Sequence, residues 1–334
     1  MKILHITNGD GAANIIKATG LLGDVLSWRD PMHHGPFPAG ASLEALQSIR
    51  AQSLAGPGMD ASEVERDFKL RDAHLNAAPQ YESVVLWFEH DLLDQLQILQ
   101  LLDWFQTAAL PDTTLEMICI NHFPGRPEFR GIGELDPAQM ASLFDQRAPV
   151  TAHMLKLAGE GWQAFCSDDP RHLQAFMTQS LDALPFVHAA LSRHLEEYPD
   201  AANGLTRTEQ QLLELVSEGV HAPDALFLRN MERETALFMG DWPTYAILSR
   251  LSQAGMLECD PAPFSYNPLA FEDRDAFVQQ ALTLTAKGRA ALAGQRADTD
   301  WIQRDQWLGG VHIHTDQPHW VWNAQRQDLQ WHPA

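Results

Sequence analysis

Glu89, His90 and Asp91 stand together directly behind Ser83–Phe88, an unbroken apolar run. Three consecutive ionisable groups beside a buried segment are costly unless they serve a ligand, a proton or a metal. A carboxylate that orients an imidazole supplies acid–base chemistry near neutral pH. The same groups, joined by Asp10 and His122, make a mixed carboxylate–imidazole set that suits a divalent metal. The plainer reading makes Asp91 a helix cap and Glu89 a salt-bridge partner.

Three further clusters share this character. Asn8-Gly9-Asp10 follows a short apolar run, and Asp10 reads either as a carboxylate for a metal, a ribose hydroxyl or base catalysis, or as a helix N-cap. Gly9-Asp10-Gly11 lacks the G-x-G-x-x-G spacing of a dinucleotide fingerprint, yet exposed amides at a helix start can hold an anion. In Trp28-Arg29-Asp30 the guanidinium of Arg29 suits a phosphate or carboxylate, whereas Asp30 reads as a partner for Arg29 or a neighbour. Asn121-His122 forms the fourth cluster, and His33 and His34 sit on a loop before Gly35. The candidate catalytic residues are therefore His90, Glu89, Asp10 and His122. Asn8, Gly9, Arg29, Asp30, Asp91 and Asn121 are the candidate ligand contacts.

Several chemistries find no support. There is no G-x-S-x-G elbow, no Walker phosphate loop and no H-E-x-x-H pair. Cys119 lies within an apolar run and reads as a buried structural thiol. Arg130-Gly-Ile-Gly-Glu134 reads equally as a lid that brings a cation to the pocket or as a plain linker.

The elements that must position these groups follow from hydrophobic pattern and punctuation. Strands are expected over Lys2–Thr7, Asp24–Trp28, Ser83–Phe88 and Leu115–Ile120. Helices are expected over Ala12–Thr19, Ser42–Ala55, Ser62–Asn76 and the stretch that follows Asp91. In that last helix Leu92, Leu93, Leu96, Leu99 and Leu102 form the apolar face, with Asp94, Gln97, Gln100 and Asp103 mostly elsewhere. The order β-α-β-α-α-β-α-β predicts an α/β domain over residues 1–130 with an open, mostly parallel, Rossmann-like sheet. Such sheets bind ligands beyond the carboxyl ends of their strands, which is where all four clusters fall.

The strings His-Ile-Thr-Asn-Gly-Asp (5–10), Trp-Arg-Asp-Pro-Met-His-His-Gly-Pro (28–36) and Leu-Trp-Phe-Glu-His-Asp-Leu-Leu-Asp-Gln-Leu-Gln (86–97) resemble the bacterial domain-of-unknown-function family 1835 over roughly residues 1–125. The region from about 200 onward is similar to a frequent partner domain, family 3658. The resemblance implies no reaction.

The rest of the chain reads as a helical region (131–203), a winged-helix-like domain (204–296) and a Trp-rich tail (297–334). A capping box, Thr206-Arg-Thr-Glu209, opens the third of these. Helices are expected over Ala222–Arg233 and Trp242–Ala254, with wing strands at Phe264–Asn267 and Leu282–Thr285 and a closing helix over Ala286–Ala293. In the tail, Val311–Thr315 and His319–Trp322 read as one hairpin, whose His312 and His314 share a face.

Composition narrows the partners. The net charge of −21 repels nucleic-acid phosphates and anionic lipid. Residues 205–296 hold eight Lys/Arg against twelve Asp/Glu, with Arg250 as the lone basic residue of the presumed recognition helix. A packing or protein-interaction role is therefore favoured over DNA binding. No apolar run approaches a membrane span, and the N-terminus turns polar too early for a signal peptide. Three scattered cysteines fit a reducing cytoplasm. The functional expectation is an enzyme or sensor for a small anionic or nucleotide-like molecule, with a divalent metal as the candidate cofactor and a homodimer compatible with the extra domains. The alternatives are a ligand-responsive transcriptional regulator and an interaction scaffold.

Overall fold

Four strands run side by side in one direction: β1 (Ile3–Thr7), β2 (Asp24–Ser27), β3 (Ser83–Glu89) and β4 (Thr114–Ile120). In the computed structural model, which describes residues 2–55, 59–237, 239–260, 262, 264, 277, 279–294 and 302–333, the sheet order is β2-β1-β3-β4-β5. The fifth strand, β5 (Ala148–Pro149), adds antiparallel at the edge of β4. Two residues ending in proline carry no strand signal, so nothing in the sequence marked it. The protein is thus mixed α/β, with twelve helices among the described residues and a five-stranded, mostly parallel sheet. No helix among those residues is long and apolar enough to cross a membrane.

The chain divides into two units: Met1–Leu191 with Gly309–Val311, and Ser192–Leu308 with His312–Ala334. The stretch 131–203 is split at Leu191, and most of the tail shares a unit with the region before it.

In the first unit, connections of helical length let the strands stay parallel. α1 (Asp10–Ala18) joins β1 to β2, and α2 (Leu43–Leu54) and α3 (Ala61–Asn76) lead to β3. α4 (Leu92–Thr107) leads to β4. Gly20, with φ +78, adopts the left-handed turn that ends α1. Every residue of β3 is buried, as continuous apolar character predicts for a central parallel strand. Ala12 and Ile16 of α1 pack with Val85 and Trp87 on one face, together with Ile132, Leu135 and Met140. α4 packs against β3 and against α6 (Ala152–Phe165), with α5 (Pro137–Ser142) and α7 (Arg171–Phe176) completing the helices. The polar residues Asp94, Gln95, Gln97 and Gln100 of α4 are buried along with its leucines, because they bond the strand ends at Asn8, Trp28 and Glu89. The expected division of that helix into a core face and a solvent face does not hold.

The second unit takes in the end of α8 (Val187–Leu195), then α9 (Arg207–Ser217), α10 (Pro223–Arg233) and α11 (Asp241–Gln253). The capping box at Thr206 and Glu209 is formed. β6 (Leu257–Asp260) pairs antiparallel with β7 (Ala281–Leu284), and α12 (Ala286–Leu292) follows. The strand expected at Phe264–Asn267 falls largely outside the described residues; among those described, β7 pairs with Leu257–Asp260. Two more ribbons close the chain: β8 (Asp305–Leu308) with β9 (Val311–His314), and β10 (His319–Asn323) with β11 (Asp328–His332). The expected single hairpin from Val311–Thr315 to His319–Trp322 is therefore wrong, since each segment pairs with a different strand. Gly309-Gly310 supplies the unread turn, with Gly309 at φ +60. His312 bonds Asp305 at 2.6 Å and stacks on Trp307.

Candidate functional site

β1 has β2 on one side and β3 on the other, so the chain reverses its direction of winding between β1 and β3. Open α/β sheets bind their ligands at such a switch point, beyond the carboxyl ends of the strands. The register sets Thr7 beside both Ser27 and Trp87, and Glu89 beside Ile120. Asn8-Gly9-Asp10, Trp28-Arg29-Asp30, Glu89-His90-Asp91 and Asn121-His122 consequently leave the same edge of the sheet.

Three carboxylates gather where β3 passes into α4. Oxygens of Glu89, Asp91 and Asp94 lie within 4.8 Å of one another. Asp91 caps α4 by accepting from the Asp94 amide at 2.8 Å. Asp94 is fully buried and accepts from the Glu89 amide at 2.8 Å. It also accepts from the Asn8 side-chain amide at 2.9 and 3.2 Å, which ties the end of β1 to the cluster. Glu89 is buried and accepts from the backbone amide of Ile132. The turn carrying that amide, Ile132–Glu134, is packed into the core through Ile132. Gly131 before it lies so close that a Cβ there would sit 2.3–2.8 Å from the Glu89 carboxyl atoms. Arg130–Glu134 is thus neither a lid carrying a cation nor a plain linker, but a packed turn that caps Glu89.

These carboxyls hold protons more tightly than usual. Burial, then the charge of Asp91, push Glu89 well above the ordinary carboxylate range, and Glu134 adds to this against the Ile132 amide. Burial raises Asp91 to about 6 against the bonds it receives around Asp94. Burial, Asp91 and Glu89 raise Asp94 well above its usual value. A buried carboxyl group that keeps its proton near neutral pH can donate it, and the same three groups would hold a divalent cation through oxygen.

Around this centre the expected residues take different parts. His90 is half-buried, stacked 6.4 Å from Phe129 and edge-on to Phe186, and burial lowers its pKa. Gly9 is the N-cap of α1 and offers no side-chain bond to its amides. A Cβ at Gly9 or Gly11 would meet nothing within 4 Å, so the helix start opens onto free space. Asp10 is not the N-cap but the first helical residue. Its carboxylate pairs with Arg29 at 3.2 Å, with the side chains 58% and 53% exposed.

Asp30 lies apart from this open rim. It accepts from Arg50 Nη2 at 2.6 Å and from Arg50 Nε at 3.1 Å, with Arg71 Nη1 at 4.0 Å, and all three residues are buried. Its expected role as a ligand contact is replaced by a structural ion pair, because its carboxylate is already taken up. Asn121 and His122 are exposed and bond each other at 2.9 Å. His33 is buried and packs against His34, with ring centroids 4.4 Å apart. Cys119 is half-buried, and burial raises its thiol to about 12, which disfavours the thiolate.

No family model matches this chain, and no curated protein is found to match it. The geometry alone carries the functional reading.

Sequence reasoning missed Asp94 and Gln97. Gln97 Nε2 donates to the carbonyl oxygens of Trp28 at 2.8 Å and Asn8 at 3.3 Å, joining the ends of β1 and β2. The signal for Asp94 was its spacing from Asp91, which puts both carboxylates in one helical turn. Arg50 and Arg71 left no signal, because a surface arginine on a polar helix reads the same.

Proposed function

We propose that the α/β unit is an enzyme or sensor that binds a small anionic, nucleotide-like ligand in the crevice between β1 and β3. The observation that carries this reading is the gathering of Glu89, Asp91 and Asp94 at the switch point, joined to the end of β1 through Asn8. The uncapped start of α1 supplies amides for a phosphate, and Arg29 stands at its rim. An anion beside three carboxylates is repelled unless protons or a divalent cation neutralise them, so the ligand enters with a metal or meets a protonated cluster. In either case the carboxylates carry the acid–base or metal-holding role, with His90 beside them. The resemblance of residues 1–125 to family 1835 is kept as part of this proposal and adds no reaction to it.

Thermal unfolding with Mg2+ or Mn2+ and with AMP, ADP or ATP, singly and combined, tests the reading. A ligand at about a hundred times its Kd stabilises by about 2.7 kcal/mol. Asp94→Asn is expected to abolish that gain. No stabilisation by any combination, or an unchanged gain in the variant, overturns it.

For the second unit we infer a packing or protein-interaction role. Three helices followed by an antiparallel pair support a winged-helix-like reading, which would favour DNA. Arg250 on α11 is held by buried Glu209 at 3.0 Å, so its guanidinium is not free for phosphate. In a gel-shift titration at low salt the full chain is expected to leave duplex DNA unretarded. Retention that weakens steeply with salt would reinstate the regulator.

A further inference from the structure

A cavity of about 280 Å³ opens in the second unit along one face of α9. Arg207, Gln210 and Glu214 line it at helical spacing, together with Glu196, Asp200 and Trp322. The Trp322 wall is fixed by backbone bonds on both sides of its Cα. Its amide donates to the Pro199 carbonyl at 2.8 Å, and its carbonyl accepts from Ala201 at 2.7 Å.

The charges of this lining do not balance. Three carboxylates face one guanidinium. Arg207 is committed to Glu196 at 2.5 Å and to Glu234 at 3.3 Å, so it is spent on residents and offers no receptor for an anion. Glu214 shares its own cation, since Arg233 pairs with Glu214 at 3.1 Å and with Glu218 at 2.5 Å. Asp200 accepts from the backbone amides of Ala202 and Ala324, which fix its carboxylate without cancelling its charge. Glu214 also lies toward the carboxyl end of α9, where the helix dipole adds negative potential. Positive charge is what the cavity lacks.

Its size limits the occupant. Pockets for drug-sized ligands run from about 300 to 1,000 Å³, so this one, at the low end, suits a small molecule. Trp322 and Leu205 add an aromatic and an aliphatic surface, which favour a cation carried on a short carbon chain. We propose that this cavity binds a small organic cation, an alkyl diamine or guanidino compound, with its charged group toward Glu214 and Asp200 and its chain against Trp322. This site is independent of the crevice in the first unit.

Calorimetric titration of the full chain with 1,4-diaminobutane and with agmatine, at about 0.15 M salt to screen loose surface attraction, tests the assignment. Glutarate serves as the anionic control. One-to-one binding of at least one of the two cations is expected. Glu214→Gln should weaken it about tenfold or more, the loss of one close charge contact. Glu44→Gln, which removes an exposed carboxylate in the other unit, should leave it unchanged. Circular dichroism checks the folding of the variants. If Glu214→Gln is misfolded, Glu196→Gln is read in its place, because it frees Arg207 and makes the cavity more positive. Absence of binding overturns the proposal. So do many weak sites insensitive to these variants, or glutarate binding as tightly as the cations.

Discussion

Arg29 and Asp30 are neighbours in sequence with opposite fates. The Arg29 guanidinium lies in solvent beside Asp10, while Asp30 is locked on Arg50 in the interior. An exposed pair contributes about 0–1 kcal/mol, so Arg29→Ala should leave chemical unfolding within that range. If Arg29 serves the crevice, the same variant loses the ligand-induced gain in stability. Arg50→Met strands the buried carboxylate of Asp30 and should cost about 3–5 kcal/mol, visible as a lower urea midpoint. Equal stability losses in the two variants would show that exposure misplaces the roles of these residues. The contrast rests on burial, which side-chain chemistry alone does not reveal, and it separates a residue that can meet a ligand from one that holds β2 to α2.

At the scale of elements, the turn after β4 is tested through its glycine. A Cβ on Gly131 would overlap the Glu89 carboxyl group, while the backbone at φ 174 is open to any residue. Crowding alone is therefore the penalty, and Gly131→Ala should destabilise by about 1–3 kcal/mol. Glu89→Ala removes the obstructing group, so the double variant should recover much of the loss, and a double-mutant cycle in urea measures the coupling. Strictly additive losses would mean that turn and carboxylate do not meet. Much of this level could be read from sequence. The four parallel strands, their order along the chain and the polar endings all follow from apolar runs ended by Gly, Asp and Asn. What failed was whatever depends on which of several segments becomes the neighbour. The polar residues of α4 look solvent-facing until the ends of β1, β2 and β3 bond them, and His319–Trp322 finds its partner downstream at Asp328–His332 rather than upstream. Asp94 carried a local signal in its spacing from Asp91 and Glu89, but only the fold brings Asn8 to it.

Across the whole molecule, the two units should respond to acid in opposite senses. In the first, burial raises Glu89, Asp91 and Asp94, with Asp91 near 6. A carboxyl whose folded pKa exceeds its unfolded value of about 4 destabilises at higher pH, and that cost disappears as pH falls through the folded pKa toward 4. His5 and His90, both lowered by burial, oppose this in part. In the second unit, burial and then the charge of Arg193 lower His194 to about 4. Its neutral form is kept above its unfolded value of about 6.5, and stability is lost as pH drops from there toward 4. Glu209 is buried, and the charges of Arg304 and Arg250 outweigh that burial and hold it near 2. Its contribution persists above about 4.5 and is lost below, so of these two groups it is His194 that acts between pH 7.5 and 5. Hydrogen exchange, corrected for intrinsic rates and read at pH 7.5 and 5, should show amides around the start of α4 gaining protection while those of α8 and α9 lose it. In Asp91→Asn, which keeps an N-cap but removes the charge, the gain in the first unit should shrink while the loss in the second stays. A uniform change across both units would mean that the shared net charge of −21, rather than these buried groups, governs the acid response.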